Sequence, residues 1–243
     1  MIELKNISWT TPDGRKVLDN VSLSVPDKKM IAITGPNGGG KTTLAKVIAG
    51  IITPDSGSVL FNGQDITNLD VTERAKAGIA FAFQQPVRFK GLTVRMLIDI
   101  AAGSKVPDGR LCDIMASVGL CARDYLDREI NNTLSGGEMK RIEIATVLAR
   151  NAPVSIFDEP EAGIDIWSFA GLIKTFDAMR KNPKGTLIIV SHQERILRIA
   201  DEIILLADGK VGLRGAGETV LETLISSGNA GSACEKKEAA ING

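Results

Sequence analysis

The chain has 243 residues, of which 44% are hydrophobic and 24% charged, a composition typical of a globular protein. Its 29 basic and 29 acidic residues leave no net charge, which argues against nucleic acid as a partner. Because no apolar run approaches the length of a membrane span and the first residues lack a signal-peptide pattern, the sequence predicts a cytoplasmic protein.

The N-terminal part of the chain has the pattern of strands. Residues 2–8 and 21–25 alternate apolar and polar side chains, and Pro12, Asp13 and Gly14 mark a turn between them. This pattern predicts an antiparallel β subdomain.

A strand, a Gly-rich loop and a helix are predicted next. Residues 30–34 are a short apolar run that leads into the glycines, and apolar residues from Leu44 to Ile51 then recur at helical spacing. Another strand is predicted over residues 57–61, closed by a tight turn at Asn62 and Gly63.

Residues from about 90 to 133 predict a helical subdomain. Their apolar residues have helical spacing, and Gly103, Pro107 and Gly109 are expected to interrupt the helices.

The remaining segments alternate between helix and strand. We predict a helix after Ser135, buried strands at 154–158 and 186–190 with a helix from about Asp165 between them, and a hairpin over 202–211. This alternation predicts an α/β fold with a mainly parallel central sheet covered on both faces. We expect one domain over residues 1–225 and a flexible C-terminal tail over residues 226–243, which contain little to bury.

The Gly-rich loop fits the phosphate-binding pattern G-x-x-x-x-G-K-[ST]. Glycines let successive backbone N–H groups converge on phosphate oxygens at a helix N-terminus, and a lysine adds positive charge for the β- and γ-phosphates. A Gly-rich turn with a surface lysine is the alternative, and the position between a strand and a helix favours the phosphate site. The predicted nucleotide-binding residues are Gly35, Pro36, Asn37, Gly38, Gly39, Gly40, Lys41, Thr42 and Thr43.

Two carboxylates end the buried strand at 154–158, where ligands of parallel sheets bind. Asp158 and the Thr42 hydroxyl are the predicted Mg²⁺ ligands, because Mg²⁺ prefers oxygen ligands. Glu159 is placed to accept a hydrogen bond from a water molecule aimed at the γ-phosphate of ATP. Alone, these carboxylates would equally fit the end of any strand; the upstream loop decides between the two interpretations.

The segment Leu134-Ser135-Gly136-Gly137-Glu138 resembles the signature of ATP-binding-cassette (ABC) ATPases. A serine N-cap that merely opens a helix is the alternative. The resemblance implies a P-loop NTPase fold of the ABC type, with ATP and Mg²⁺ as cofactors. It also implies that Ser135, Gly136 and Gly137 bind the ATP of a second subunit, so that two subunits enclose two nucleotides head to tail.

Other positions follow the order of the family. Gln84 resembles the Q-loop glutamine that contacts Mg²⁺ and the catalytic site, although the adjacent Gln85 leaves a one-residue ambiguity. Asp165 resembles the nucleotide-contacting D-loop aspartate, and His192 the switch histidine of catalysis.

One position departs from the family. An aromatic residue usually stacks on adenine from the first hairpin, and the position that aligns with it is Thr11, with Trp9 two residues away. The resemblance therefore implies modest selectivity for adenine.

Within the superfamily, the segments around Gln84 and after Ser135 resemble the SufC-type ATPase of iron–sulfur cluster assembly. This implies a Suf-type scaffold as partner. The alternative partner is the transmembrane subunit of an ABC transporter, which would be served by the same residues. A nucleotide-dependent regulator is a third class, but it would be expected to lose Glu159 or His192.

The three cysteines, Cys112, Cys121 and Cys234, have no Cys-x-x-Cys spacing. Their odd number argues against a disulfide framework, and we expect none of them to be a cluster ligand.

Overall fold

Strands and helices alternate through most of the structure, a computed structural model that describes residues 1–85, 89–131, 133–181 and 183–226. The predicted tail lies outside the described residues except for Ser226, and so does Cys234. The strands are β1 (Ile2–Thr10), β2 (Lys16–Val25), β3 (Met30–Thr34), β4 (Ser56–Phe61), β5 (Gln64–Asp65), β6 (Ile79–Ala82), β7 (Val154–Asp158), β8 (Thr186–Val190), β9 (Glu202–Ala207) and β10 (Lys210–Ala216). The helices are α1 (Lys41–Ala49), α2 (Val71–Ala77), α3 (Val94–Ala102), α4 (Asp108–Ser117), α5 (Ala122–Tyr125), α6 (Gly136–Arg150), α7 (Ile166–Lys181), α8 (Glu194–Leu197) and α9 (217–226).

The central sheet is mainly parallel, as predicted. Its strand order is β10-β9-β3-β8-β7-β6, and only β10 runs antiparallel to its neighbour. The carboxyl ends of β3, β6, β7 and β8 consequently meet at one edge of the sheet.

Successive side chains of the central strands enter different cores. Ile31 and Ile188 contribute to a core shared with α1 and the strands β1, β2 and β4, whereas Leu187, Ile189 and Phe157 contribute to a core shared with helices α3, α4, α6 and α7. Since side chains of a strand alternate in direction, both faces of the sheet are buried. This arrangement explains why the central strands are almost wholly apolar.

The antiparallel β subdomain is a second sheet with the order β2-β1-β4-β5. β1 pairs antiparallel with both β2 and β4, which confirms the antiparallel arrangement of the N-terminal segments.

Helices α3, α4 and α5 lie within the range of the predicted helical subdomain. Gly103 ends α3 in the left-handed region at φ 71°, and Pro107 is the N-cap of α4. The expected interruption at Gly109 was wrong, because Gly109 lies in the first turn of α4, where the following residues continue the apolar pattern. None of the helices within the described residues has both the length and the apolar character to cross a lipid bilayer.

Helix α2 was not predicted, because its residues have little apolar periodicity. Its start is fixed by a capping box in which the Asp70 side chain accepts from the Glu73 amide and the Glu73 side chain accepts from the Asp70 amide. The Asp-x-x-Glu pattern of residues 70–73 was the sequence signal that could have predicted this helix start.

Arg74 of α2 is buried, with 1% of its surface exposed, and it joins α2 to the end of α1. Its Nη1 donates to the carbonyl oxygens of Val47 and Ile48 at 2.6 and 3.0 Å, its Nη2 to that of Thr67 at 2.8 Å, and its Nε to that of Leu69 at 3.1 Å. Burial lowers the pKa of this guanidinium. Arg74 therefore supplies charged hydrogen bonds to two carbonyls of the last turn of α1, of which that of Val47 also accepts from the Gly50 amide at 3.2 Å.

We expect Arg74→Ala to lower the free energy of unfolding by about 2–4 kcal/mol, because buried carbonyls lose charged donors and a cavity forms. Urea denaturation of the wild type and the variant measures this change. Lys76→Ala, at an exposed position of the same helix, is the control. Equal stabilities of the two variants would contradict the structural role of Arg74.

Candidate active site at the carboxyl edge of the sheet

The loop between β3 and α1 is shaped by glycines. Gly40 has φ 98°, and a Cβ at this position would lie 2.7 Å from the carbonyl oxygen of Val17. Gly35 has φ 142° and packs directly against the carbonyl of Leu206. Only glycine fits such backbone angles this close to neighbouring main chain. The loop therefore turns tightly into the N-terminus of α1, where free amides and the helix dipole favour an anion.

Lys41, the first residue of α1, folds back over this loop. Its Nζ donates to the carbonyl oxygens of Gly35 and Pro36 at 2.9 Å each, and its side chain is buried. The lysine is thus held at the loop that the sequence predicts to bind the phosphates.

Hydrogen bonds between strand ends fix the edge of the sheet. The Glu159 amide donates to the Val190 carbonyl at 2.9 Å, and the Ser191 amide donates to the Ile33 carbonyl at 3.1 Å. The residues that follow β7, β8 and β3 are consequently held side by side.

Thr42 and Asp158 meet at this edge. The Thr42 hydroxyl donates to Asp158 Oδ1 at 2.9 Å, and the second carboxylate oxygen of Asp158 is buried without a hydrogen-bond partner. Burial is the main cause of the raised pKa of Asp158. An orphaned carboxylate oxygen beside a hydroxyl suits Mg²⁺, a hard cation that takes oxygen ligands, so the two side chains fit the predicted metal site.

Gln84 and Glu159 also meet there. Gln84 Nε2 donates to Glu159 Oε2 at 2.6 Å, which selects Gln84 rather than Gln85 as the glutamine at the carboxylates. Glu159 has φ 46°, an uncommon angle for a residue with a side chain, directly after the buried strand β7.

His192 follows β8 at the same edge and is exposed. The residue before it, Ser191, donates from its hydroxyl to Glu161 Oε1 at 2.6 Å and accepts from the Gln193 amide at 3.0 Å. Burial raises the pKa of Glu161, whose other carboxylate oxygen lacks a hydrogen-bond partner. Glu161 therefore ties the turn after β7 to the turn that carries His192.

Lys140 is a buried cation between the glutamine segment and β7. Its Nζ contacts the carbonyl oxygen of Phe83 and lies 3.3 Å from that of Gln84 and 3.4 Å from both the Asp158 carbonyl and Glu143 Oε2. Burial lowers the pKa of Lys140 and raises that of Glu143. This cation holds the main chain of Gln84 next to that of Asp158.

The signature segment starts α6. Ser135 is the N-cap: its hydroxyl accepts from the Glu138 amide at 3.2 Å, and its own amide donates to Glu138 Oε2 at 2.7 Å. Gly137 packs on the segment before α7, since a Cβ there would lie 2.7 Å from the Gly163 carbonyl oxygen. Asp165 Oδ1 accepts from the Trp167 amide at 3.1 Å and so begins α7.

The predicted site residues thus form two groups. Within the described residues, no hydrogen bond joins residues 135–137 or Asp165 to residues 35–43. One chain therefore presents a phosphate loop with its carboxylates and, separately, a second helix N-terminus.

Position 11 does not carry an adenine-stacking group. The Thr11 hydroxyl donates to the Arg15 carbonyl at 3.0 Å within a turn, and Trp9 is partly buried against the core beside α1. The Arg15 guanidinium instead lies over the loop, 3.3 Å from where a Cβ of Gly38 would be.

Sequence patterns missed three side chains here, Arg15, Lys140 and Glu161. A lysine between Met139 and Arg141 has the pattern of an ordinary helix surface, and nothing local marks it as buried. Glu161 had a signal, because it follows two carboxylates at a strand end.

Comparison with known proteins agrees with this geometry. The ABC transporter family matches residues 18–162. An uncharacterized ABC transporter ATP-binding protein of Methanocaldococcus jannaschii is 37% identical over 82% of this chain and 82% of its own length. A sulfate/thiosulfate import ATP-binding protein of Synechocystis is 33% identical over 91% of the chain, which spans 62% of that protein. The dimeric structure of an ATP-binding cassette in a post-hydrolysis state, bound to ADP and Pi, superposes with a TM-score of 0.80 at 26% identity, covering 89% of this chain and 98% of that one.

The chain belongs to the ABC transporter family as one of its ATP-binding cassettes. It is an ABC ATPase, and its nucleotide is Mg-ATP.

Glu138 links the signature segment to α5. It accepts a hydrogen bond from the Tyr125 hydroxyl and one from the Ser135 amide, and these bonds lower its pKa from 4.5 to about 2. A carboxyl whose pKa is lowered on folding stabilises the fold above its unfolded pKa, and this stabilisation is lost as the pH falls towards the folded value.

We expect Glu138→Gln to lower the free energy of unfolding by roughly 2 kcal/mol at pH 7 and by less than half of that at pH 3, where the unfolded carboxyl is already protonated. Urea denaturation at both pH values checks this. Asp124→Asn, at an exposed position of α5, is the control. An equal loss at pH 3 and pH 7 would show that the ionised carboxylate is not the stabilising group.

Proposed function

We propose that this chain is the ATP-binding subunit of an ABC membrane transporter and that it hydrolyses ATP as one half of a head-to-tail dimer. The observation that carries the ATPase and dimer parts of the proposal is the meeting of Thr42, Asp158, Glu159 and Gln84 beside the phosphate loop, with the signature segment held apart from them.

The residues at the sheet edge have separable roles. The loop amides and Lys41 would bind the phosphates, while Thr42, Asp158 and Gln84 would hold Mg²⁺, which would neutralise charge on the phosphates. Glu159 accepts a hydrogen bond from the attacking water and orients it towards the γ-phosphate. His192 is exposed at the same edge, where it contacts the γ-phosphate and stabilises its developing charge.

The second nucleotide contact comes from another copy. Ser135 and Gly136 are exposed, and the amides of Gly136 and Gly137 open the 15-residue helix α6. A two-fold arrangement brings this helix N-terminus of one copy to the phosphate loop of the other, so each ATP is shared. The dimeric state of the cassette bound to ADP and Pi supports this arrangement.

We expect Glu159→Gln to keep ATP binding, to lower phosphate release at least about 100-fold and to accumulate a dimer with Mg-ATP, because the variant loses only the carboxylate that orients the water. Phosphate release and sedimentation with and without Mg-ATP measure these effects.

Glu194→Gln, at an exposed carboxylate of α8, should leave phosphate release unchanged. Full turnover by Glu159→Gln would refute the role of Glu159, and a variant that binds ATP as a monomer would refute the shared site.

An apolar groove next to Gln84 is the surface on which we expect a partner protein to dock. It has a volume of about 180 Å³ and is open to solvent. Glu143 accepts from the Phe83 amide at 2.7 Å, so the groove wall is continuous with the segment of Gln84. The groove is lined by Phe81, Phe83, Phe89, Leu97, Ile100 and Met139, among others.

The groove suits an apolar helix of a membrane subunit. Phe89 and Ile100 are exposed at its rim, and helix-in-groove recognition uses such apolar walls. The names of the relatives, which are transporter ATP-binding proteins, favour this partner over the iron–sulfur assembly scaffold. If Gln84 moves when the bound nucleotide changes, the groove wall next to it would move as well and would shift the docked helix.

We expect the tagged chain to retain a multi-span membrane protein from detergent-solubilised native membranes, and Ile100→Glu to lose it, because the variant places a charge in the groove. Basal ATP hydrolysis should be unchanged. Mass spectrometry of the retained proteins is the measurement.

Ile225→Glu is the control, since Ile225 is 43% exposed on α9 and does not line the groove. Retention of a soluble protein that holds an iron–sulfur cluster, in place of a membrane protein, would support the assembly role and overturn the transporter proposal.

A further inference from the structure

Two large apolar side chains are exposed at the start of α7. Ile166 is 63% exposed and Trp167 is 86% exposed, the highest value among the large apolar side chains within the described residues. Single exposed apolar residues are common, but two adjacent ones that include a nearly uncovered tryptophan indicate an interaction surface.

The main chain that carries this pair is held firmly. Asp165 Oδ1 accepts from the amides of Trp167 and Ser168 at 3.1 and 3.0 Å. The tryptophan therefore projects from a fixed helix start rather than from a loose loop, and little conformational entropy is lost when it is covered.

The same helix start is joined to the signature segment. Arg141 of α6 donates from Nη1 to the Ser168 hydroxyl at 2.9 Å and from Nε to the Gly137 carbonyl at 3.3 Å. Gly137 itself packs on the Gly163 carbonyl. The apolar pair is consequently continuous with the surface formed by Ser135, Gly136 and Gly137.

We propose that Ile166 and Trp167 form an apolar contact with a second copy of this chain when ATP closes the dimer. This inference rests on the proposed head-to-tail dimer, in which the signature segment of one copy approaches the phosphate loop of the other. A surface fixed to that segment moves towards the second copy with it.

Symmetry and composition favour this occupant. A two-fold dimer presents the pair twice, so one substitution alters two contacts. Tryptophan is enriched among the residues that dominate binding at interfaces, whereas the surrounding glycines and Ser135 offer only polar contacts. The groove proposed for the transporter partner is lined by other residues, so Ile166 and Trp167 do not belong to that surface.

The test uses the full chain with Glu159→Gln, so that bound ATP is retained. We expect Trp167→Ala to weaken Mg-ATP-dependent dimerisation at least about tenfold, measured by sedimentation over a range of protein concentrations, because a central apolar anchor is removed from both copies. Trp167→Phe should restore most of the affinity. The affinity of the monomer for ATP should be unchanged, since Trp167 lies at the start of α7, outside residues 35–43 of the phosphate loop.

Fluorescence gives an independent measurement. The chain has two tryptophans, Trp9 and Trp167, so Trp9→Phe leaves Trp167 as the only indole. We expect its emission to shift to shorter wavelength when Mg-ATP is added to the Glu159→Gln protein, and to stay unshifted at concentrations below the dimer dissociation constant.

The outcomes separate this inference from the proposed function. If Glu159→Gln with native Trp167 remains monomeric in Mg-ATP, the proposed dimer fails. If it does dimerise, but Trp167→Ala dimerises equally well and the Trp167 emission does not shift, then the proposed dimer is retained. The apolar contact is overturned in that case. A Trp167→Ala protein with the far-UV circular dichroism and urea midpoint of the parent excludes misfolding as the cause of a loss.

Discussion

Parallel pairing of β3, β8 and β7 is the constraint on which the nucleotide site depends. The register places Ile33 opposite Val190 and Val190 opposite Asp158, so the three strands end at one level. A slip of one residue would turn every side chain of a strand to the other face and would take Asp158 away from the Thr42 hydroxyl. The apolar faces of the sheet therefore fix the positions of Asp158 and Glu159.

The sequence predicts best what is local in the chain. The phosphate loop and the two carboxylates were identifiable because each consists of neighbouring residues with a definite chemical task. The hairpin over 202–211 was identifiable from an apolar run that leads into Asp208-Gly209. By contrast, Lys140 and Arg74 have ordinary helix-surface patterns, and only the packed structure shows that both are buried.

Contacts between two copies of the chain are harder to predict from the sequence than contacts within one chain. Asp165 was predicted to contact nucleotide, and that role stays a prediction; in the single chain its carboxylate caps α7. The two roles are compatible, because a carboxylate has more than one acceptor oxygen. Sequence could not show that the cap also fixes Trp167, since burial and exposure along a helix depend on what packs beside it.

The nucleotide site and the apolar groove are joined through the main chain of Phe83 and the side chain of Lys140. Phe83 lines the groove, while its carbonyl contacts Lys140, whose ammonium also lies near the Asp158 carbonyl. A buried cation among carbonyls resists separation of the segments that it joins, because separation would leave both charge and carbonyls unsatisfied. The proposed partner surface and Asp158, a proposed Mg²⁺ ligand, are thus mechanically connected through one side chain.

The position of Arg74 also sets an order for biosynthesis. The carbonyls at the end of α1 emerge from the ribosome well before Arg74, so α1 has only the main-chain cap at Gly50 until α2 has been made. For the same reason, a phosphate loop transplanted with α1 alone would lack its stabilising donor. The stabilising contacts of the phosphate loop and α1 therefore extend at least to residue 74, beyond the motif by which the loop is recognised.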